Sequence, residues 1–129
     1  MGGLKVTPEG MWSILVDGCD YPVFFSVLGF QRWAEYRKID FEAALADEWS
    51  PVTLSVRGLT ALLRIGLEGG EARRVMTVGG SAREIGDAII ERMFSLYHPL
   101  ELGTVLAGAW NMTEPDTDAN PQTPDSAND

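Results

Sequence analysis

The sequence predicts an α+β protein in which an N-terminal β-hairpin packs on a bundle of about four to five α-helices, with a disordered acidic tail at the C-terminus. Three observations lead to this prediction. Side chains near the N-terminus alternate between two faces, which is typical of strands. Apolar residues recur at intervals of three and four from about Leu28 onward, which is typical of helices. Beyond residue 112 there are no large apolar residues.

The hairpin is predicted from residues 11–27, "MWSILVDGCDYPVFFSV". Trp12, Ile14 and Val16 alternate with the residues between them, and "DG" at 17–18 is a strong signal for a tight turn. The return strand contains Pro22, which is tolerated at the edge of a sheet. Because an isolated hairpin is only marginally stable, we expect it to pack on helices.

Three helical segments are predicted between Leu28 and Gly70. The first is "LGFQRWAEYRK", and the second is "DFEAALADEW", which begins with Asp40 as its N-cap. Pro51 ends the second segment. The third is "TLSVRGLTALLRIGLEGG", which ends at the Gly69–Gly70 pair because glycine is a common helix stop. Residues 71–80 are then expected to form a connecting loop.

Two further helices are predicted after this loop. Ser81 followed three residues later by Glu84 is the pattern of a capping box, so the first of the two is expected over residues 81–97. The "HP" pair at 98–99 breaks this helix, and Pro99 starts the last helix at its first turn. One side of the last helix is apolar and comprises Leu102, Val105, Leu106, Ala109 and Trp110.

The chain has 129 residues, which is the length of one domain. We expect residues 1–112 to form that domain. Residues 113–129 contain three prolines, five acidic residues and no large apolar side chain. Such a segment cannot bury enough surface to offset its ordering entropy, so we expect a disordered tail.

The composition excludes several classes of partner. The formal net charge is −9, and the chain without residues 113–129 still has 14 acidic residues against 10 basic ones. Nucleic-acid affinity depends mainly on Lys and Arg, so we expect no DNA or RNA partner. Cys19 is the only cysteine, which indicates a reducing compartment. The chain has neither a signal-peptide pattern nor an apolar run of membrane-spanning length, so we expect a cytoplasmic protein with no membrane partner.

No catalytic, cofactor or metal site is predicted. His98 is the only histidine and precedes Pro99 at a helix junction, where a helix-terminal histidine in a favourable charge position is far more common than a general base. One histidine and one cysteine do not make a metal-ligand set. The glycine-rich stretches contain neither a GxGxxG nor a Walker pattern. We therefore expect a protein that is not an enzyme. A small enzyme or regulatory domain with an unrecognised site stays open as an alternative.

The helix predicted at 81–97 has more apolar surface than a surface helix needs. A stripe through Ile85 and Met93 lies beside a second stripe formed by Ile90, Phe94 and Tyr97. Two interpretations stay open: the rest of the chain covers both stripes, or part of them forms a groove for a partner helix or a self-association face. On the second interpretation the candidate partner-binding residues are Ile90, Phe94, Tyr97, Leu106 and Trp110.

The order of segments resembles that of the small tail assembly chaperones of long-tailed bacteriophages and of gene transfer agents. The segments are "DGCDYPVFF", "FQRWAEY", "GLTALLRIGLEGG" and "SAREIGDAII". In that family a hairpin precedes a helix, and segments similar to "LRALLWAGL" and "LTLEEVGDLI" follow. The last two correspond here to Leu59–Leu67 and Val78–Ile89, with residues 84–87 the closest match. The resemblance covers roughly residues 11–110.

The resemblance implies a non-catalytic late protein of virion assembly, which acts in the host cell cytoplasm and is absent from the finished particle. It would bind the helical tape measure protein and keep it soluble until tail tube subunits polymerise around it. The tail tube subunit and a second copy of the chain are further partners to consider. The alternative is a small structural head–tail connector or minor tail protein of the virion, which has the same size and fold class.

Overall fold

The computed structural model describes residues 4–6, 12–47, 49 and 53–113, and for residues 4–6, 112 and 113 it describes the backbone alone. These residues form an α+β fold, as predicted, with a small antiparallel sheet followed by five helices. Thr113, the first residue of the predicted tail, is the last residue of the last helix, and residues 114–129 of that tail lie outside the described residues. The strands are β1 (Leu4–Val6), β2 (Trp12–Val16) and β3 (Cys19–Val23), and the helices are α1 (Val27–Arg37), α2 (Phe41–Leu45), α3 (Val56–Val78), α4 (Asp87–Leu96) and α5 (Pro99–Thr113).

The predicted hairpin is confirmed as β2 and β3. Trp12 pairs with Val23 and Val16 with Cys19, in antiparallel register. Asp17 and Gly18 both have positive φ, 52° and 84°, which is the geometry of the tight turn that "DG" favours. The short strand β1, which the sequence analysis did not predict, pairs with the other edge of β2, so the sheet order is β1-β2-β3.

Polar side chains cap the first three helices. The Asp40 carboxylate accepts a hydrogen bond from the backbone N–H of Ala43 at 2.7 Å, which confirms the predicted N-cap of α2. Ser26 caps α1 and Ser55 caps α3 in the same way, at 3.2 and 3.1 Å. These short-range bonds fix where the helices begin.

The prediction that a helix ends at Gly69–Gly70 and that residues 71–80 form a loop is wrong, because α3 continues to Val78. The two glycines are points of close approach between α3 and the backbone of β3 and of the residue after it. A Cβ atom on Gly70 would overlap the carbonyl group of Pro22, and one on Gly69 would overlap that of Phe24. The glycines therefore serve helix–strand packing, and the chain turns later, at Gly79 and Gly80, which both have positive φ.

The predicted capping box at Ser81 is also wrong. The helix α4 begins at Asp87, with Gly86 as an N-cap that makes no side-chain hydrogen bond. Residues 81–86 are held in a non-helical conformation by α3, because the backbone N–H of Arg83 donates to the Glu71 carboxylate at 2.7 Å. The start of α5 at Pro99 is confirmed.

One core lies between the sheet and the helices. The apolar side of α5 is buried as predicted, with Leu102, Val105, Leu106, Ala109 and Trp110 each at most 4% exposed. Trp110 makes edge-to-face contacts with Phe25 and Phe30, at ring-centroid distances of 5.3 and 4.6 Å. These contacts hold the C-terminal half of α5 against the first helix.

Candidate partner-binding sites

The five candidate residues from the sequence do not form one exposed face. Ile90, Leu106 and Trp110 are 4%, 0% and 4% exposed, and all three belong to the core. Phe94 and Tyr97 are half-buried and pack against it. The chain itself therefore covers most of the apolar surplus of α4, which was the first of the two interpretations of that helix.

Tyr97 shows how the hairpin covers α4. Its hydroxyl donates a hydrogen bond to the Leu15 carbonyl oxygen at 2.6 Å. Burial raises the pKa of Tyr97, so the hydroxyl keeps its proton at neutral pH. The side chain thus ties the end of α4 to β2.

Trp110 contributes both to the core and to a cleft between α2 and α5, which we call the aromatic cleft. The cleft has a volume of about 420 Å³. Trp49 forms its other aromatic wall, and the two indole rings meet edge to face at 5.5 Å with an interplanar angle of 84°. The lining residues are Leu45, Ala46, Asp47, Trp49, Ala107, Trp110 and Asn111.

The polar groups at the aromatic cleft are of two kinds. The Asp47 carboxylate is already engaged, since Trp33 Nε1 donates to it at 2.7 Å and Arg37 pairs with it at 3.4 Å. The Nε1 donor of Trp49, in contrast, is buried and has no acceptor in the described part of the chain. The cleft thus has a mixed lining, in which polar surface exceeds apolar surface, with one neutralised carboxylate and an unsatisfied N–H donor.

A second, smaller groove lies between α1 and α3 and has a volume of about 220 Å³. An ion pair between Arg32 and Glu68 joins the two helices there. Leu28 is 55% exposed. The lining residues are Ser26, Leu28, Gly29, Arg32, Ile65, Glu68, Gly69 and Ala72.

The most strongly perturbed acid is structural and lies in neither groove. The Glu71 side chain is 2% exposed and pairs with Arg74 at 2.9 Å and with Arg83 at 2.6 Å. Burial alone would raise the pKa of Glu71, but hydrogen bonds from the two arginines outweigh it and lower the pKa to about 2. The carboxylate is therefore ionised near neutral pH, and it fastens residues 81–86 to α3.

The other residues considered for chemistry are exposed. His98 accepts a hydrogen bond at Nδ1 from the Leu100 N–H at 3.0 Å, and Glu101 accepts one from the His98 N–H at 2.8 Å, so the two cap α5 reciprocally. Cys19 lies exposed at the start of β3. Among residues 4–6, 12–47, 49 and 53–113 no cluster of three or more potential metal ligands occurs. None of the helices in those ranges has the length and apolarity to cross a membrane.

Comparison of the chain with family models, with curated proteins and with solved structures finds no match. The resemblance to tail assembly chaperones therefore stays an expectation from the order of the segments. The aromatic cleft, on the other hand, follows from the fold. Sequence reasoning singled out Trp110 but not Trp49, and no local pattern around Trp49 indicates the cleft.

Proposed function

We propose that the protein is a non-catalytic tail assembly chaperone, which binds the helical tape measure protein in the host cell cytoplasm and keeps it soluble until the tail tube polymerises. The observation that carries this proposal is the aromatic cleft between α2 and α5. The order of hairpin and helices supports it as well, because that order led to the resemblance.

The cleft combines aromatic and aliphatic side chains with polar groups, which is compatible with the recognition of an amphipathic helix. In helix-in-groove binding, side chains three or four residues apart enter an apolar groove whose rim is polar. One aliphatic or aromatic anchor that becomes fully buried contributes about 1.5–3 kcal/mol. The contacts with Phe25 and Phe30 already fix the Trp110 side chain in the unbound protein. Binding of a partner therefore costs little side-chain conformational entropy at Trp110.

One cleft of this size gives weak binding, and a long client compensates through repetition. A tape measure protein presents many similar helical segments, so several copies of the chain bind along one client. The net charge of −9 makes neighbouring copies repel one another and favours a soluble complex.

Co-expression with the longest helical protein encoded downstream tests the proposal. We expect the client to become soluble and to be retained with the chain. Ala107→Arg places a long charged side chain in the aromatic cleft and is expected to abolish retention. Ala88→Arg makes the same change at an exposed position of α4 and is the matched control. Circular dichroism of each variant checks that the fold is intact.

Two results would contradict the proposal. If the client stays insoluble and unbound with the wild-type chain, the protein is not its chaperone. If mass spectrometry finds the chain in purified particles, it is a structural component such as a connector or minor tail protein. A third variant, Ala72→Arg, tests whether a client that binds uses the α1–α3 groove instead of the aromatic cleft.

A further inference from the structure

The groove between α1 and α3 combines exposed apolar side chains with a lining in which apolar surface exceeds polar surface. Leu28, a lining residue on α1, is 55% exposed. Met76 follows the lining residue Ala72 by one turn on the same face of α3 and is 84% exposed. Apolar surface that is exposed in and beside a groove is typical of an interface with another macromolecule.

The shape of the α1–α3 groove is complementary to itself. Three of its lining residues are small, namely Gly29, Gly69 and Ala72, and they leave a depression of about 220 Å³. No side chain fits at position 69, because a Cβ atom there would overlap the carbonyl oxygen of Phe24. The Leu28 side chain lies beside the depression and is more than half exposed. One surface therefore carries both a projecting side chain and the space for one.

The charges of the groove are complementary in the same way. Arg32 on α1 and Glu68 on α3 form an ion pair, and their side chains are 46% and 38% exposed. The lining thus contains one cation and one anion, on different helices. The whole chain has 19 acidic residues against 10 basic ones, so two copies repel each other in most orientations. A neutral face is where two such copies can approach.

We propose that a second copy of the chain binds at the α1–α3 groove and that the protein thereby forms a dimer with a two-fold axis. In a two-fold contact the same surface is used twice, so that when residue i of one copy contacts residue j of the other, j also contacts i. Leu28 of each copy then packs on the small residues of the other copy. Arg32 of each copy pairs with Glu68 of the other copy.

The observations favour a second copy over a different protein as the occupant. A different protein is usually selected by a net charge opposite to its own, and the groove has none because Arg32 and Glu68 neutralise each other. Binding of an unrelated helix also does not require the projecting Leu28 and the depression to lie on one surface. Contact between identical surfaces does require it.

The dimer leaves the aromatic cleft free. The cleft and the α1–α3 groove share no lining residue. One dimer therefore carries two aromatic clefts, and both are available to a long client. This consequence rests on the proposed function, whereas the dimer itself does not.

Sedimentation velocity of the full chain, without any client, measures the association. We expect a monomer at about 1 μM and a dimer at about 100 μM, because an interface built around one small groove belongs to the weak class. Ala72→Arg places a long charged side chain in the groove and is expected to weaken the association by about tenfold or more. Ala88→Arg makes the same change at an exposed position of α4 and is the matched control, which is expected to sediment as the wild type does. Circular dichroism of each variant checks that the fold is intact.

A pair of complementary charge variants tests the two-fold geometry. Arg32→Glu leaves the groove with two acidic side chains, and Glu68→Arg leaves it with two basic ones. Each variant alone is expected to stay monomeric at about 100 μM, because like charges then meet across the interface. An equimolar mixture of the two variants is expected to dimerise, since each charge then meets its opposite on the other chain. Arg57→Glu, at an exposed position of α3 outside the lining, is the matched control and dimerises on its own.

Three results would overturn the proposal. A wild-type chain that is monomeric at about 100 μM does not make this contact. A dimer that Ala72→Arg leaves intact uses another face of the molecule. A mixture of Arg32→Glu and Glu68→Arg that stays monomeric, while the wild type dimerises, would show that the two charges act only within one chain. No client takes part in these measurements, so a failed chaperone assay leaves their result intact.

Discussion

Replacing Glu71 by Gln removes a buried negative charge that joins α3 to the segment before α4. The carboxylate accepts hydrogen bonds from the backbone N–H of Arg83, from the guanidinium of Arg83 and from that of Arg74. Gln has nearly the same volume and keeps one oxygen acceptor, but it is neutral. The substitution therefore tests the charge of residue 71 with little change in packing.

The size of the effect follows from the pKa of Glu71. The two arginines lower that pKa from 4.5 to about 2. One pKa unit corresponds to about 1.4 kcal/mol, so the ionised carboxylate contributes about 3 kcal/mol to the free energy of unfolding at pH 7. Because the folded pKa is the lower one, this contribution is complete above about pH 4.5 and is lost as the pH falls towards 2. At pH 3 about 2 kcal/mol of it is gone.

Urea denaturation at pH 7 and at pH 3, followed by circular dichroism, measures the effect. At pH 7 we expect Glu71→Gln to be less stable than the wild type by about 3 kcal/mol, and we expect this difference to shrink by about 2 kcal/mol at pH 3. Glu91→Gln removes an exposed carboxylate of α4 and is the matched control. Its stability is expected to stay within about 0.5 kcal/mol of the wild type.

A difference that is the same at both pH values would refute this reasoning, because the contribution of the charge must shrink once the pH falls below 4.5, the pKa of residue 71 in the unfolded chain. A difference below about 1 kcal/mol at pH 7 would refute it too. The ion pairs of Glu71 with the two arginines would then contribute no more to the free energy of unfolding than solvent-exposed ion pairs do. The denaturant slopes of the chains compared must agree, so that the free energies refer to the same transition.

Two further substitutions test the packing. Gly70→Ala places a methyl group against the carbonyl of Pro22, and a backbone group cannot move aside as a side chain can. We expect the substitution to lower the free energy of unfolding, measured by thermal or urea denaturation, by about 3 kcal/mol or more. Gly29→Ala, whose Cβ would lie 3.4 Å from Ile65 Cγ2, is the matched control and is expected to be neutral or to gain up to about 1 kcal/mol from helix propensity. Phe94→Asp is expected to lower stability by about 1–2 kcal/mol, since the ring is half-buried, and to leave client retention unchanged. Loss of the client from a folded Phe94→Asp chain would instead place Phe94 in the binding site, as the sequence analysis predicted.

The contrast between Trp49 and Trp110 shows how much of the candidate site could be read from the sequence. Trp110 is part of an apolar stripe along one helix, so the 3.6-residue period is enough to single it out. The cleft also needs Trp49, which is 61 positions earlier in the chain. No local pattern indicates that the residues that follow α2 lie beside the C-terminal half of α5, so the contact between Trp49 and Trp110 is a property of the tertiary structure.

The glycine pair at 69–70 and the serine at 81 show why two helix boundaries were predicted wrongly. Glycine favours a helix end when nothing else acts on it, but here the missing side chains let β3 and the residue after it approach α3 closely. Ser81 and Glu84 have capping-box spacing, but the ion pairs of Glu71 hold the intervening Arg83 against α3. In both places a contact between distant parts of the chain outweighs a local preference of about 1 kcal/mol.

Elements whose causes are local could be predicted from the residues that form them. The Asp17–Gly18 turn, the Asp40 cap, the start of α5 at Pro99 and its buried side each depend on a few neighbouring residues. The extent of α3, the start of α4 and the edge-to-face contact between Trp49 and Trp110 are apparent only in the folded chain. The physical reason is that burial, close backbone approach and ion pairing are properties of surfaces that meet, and those surfaces come from segments far apart in the chain.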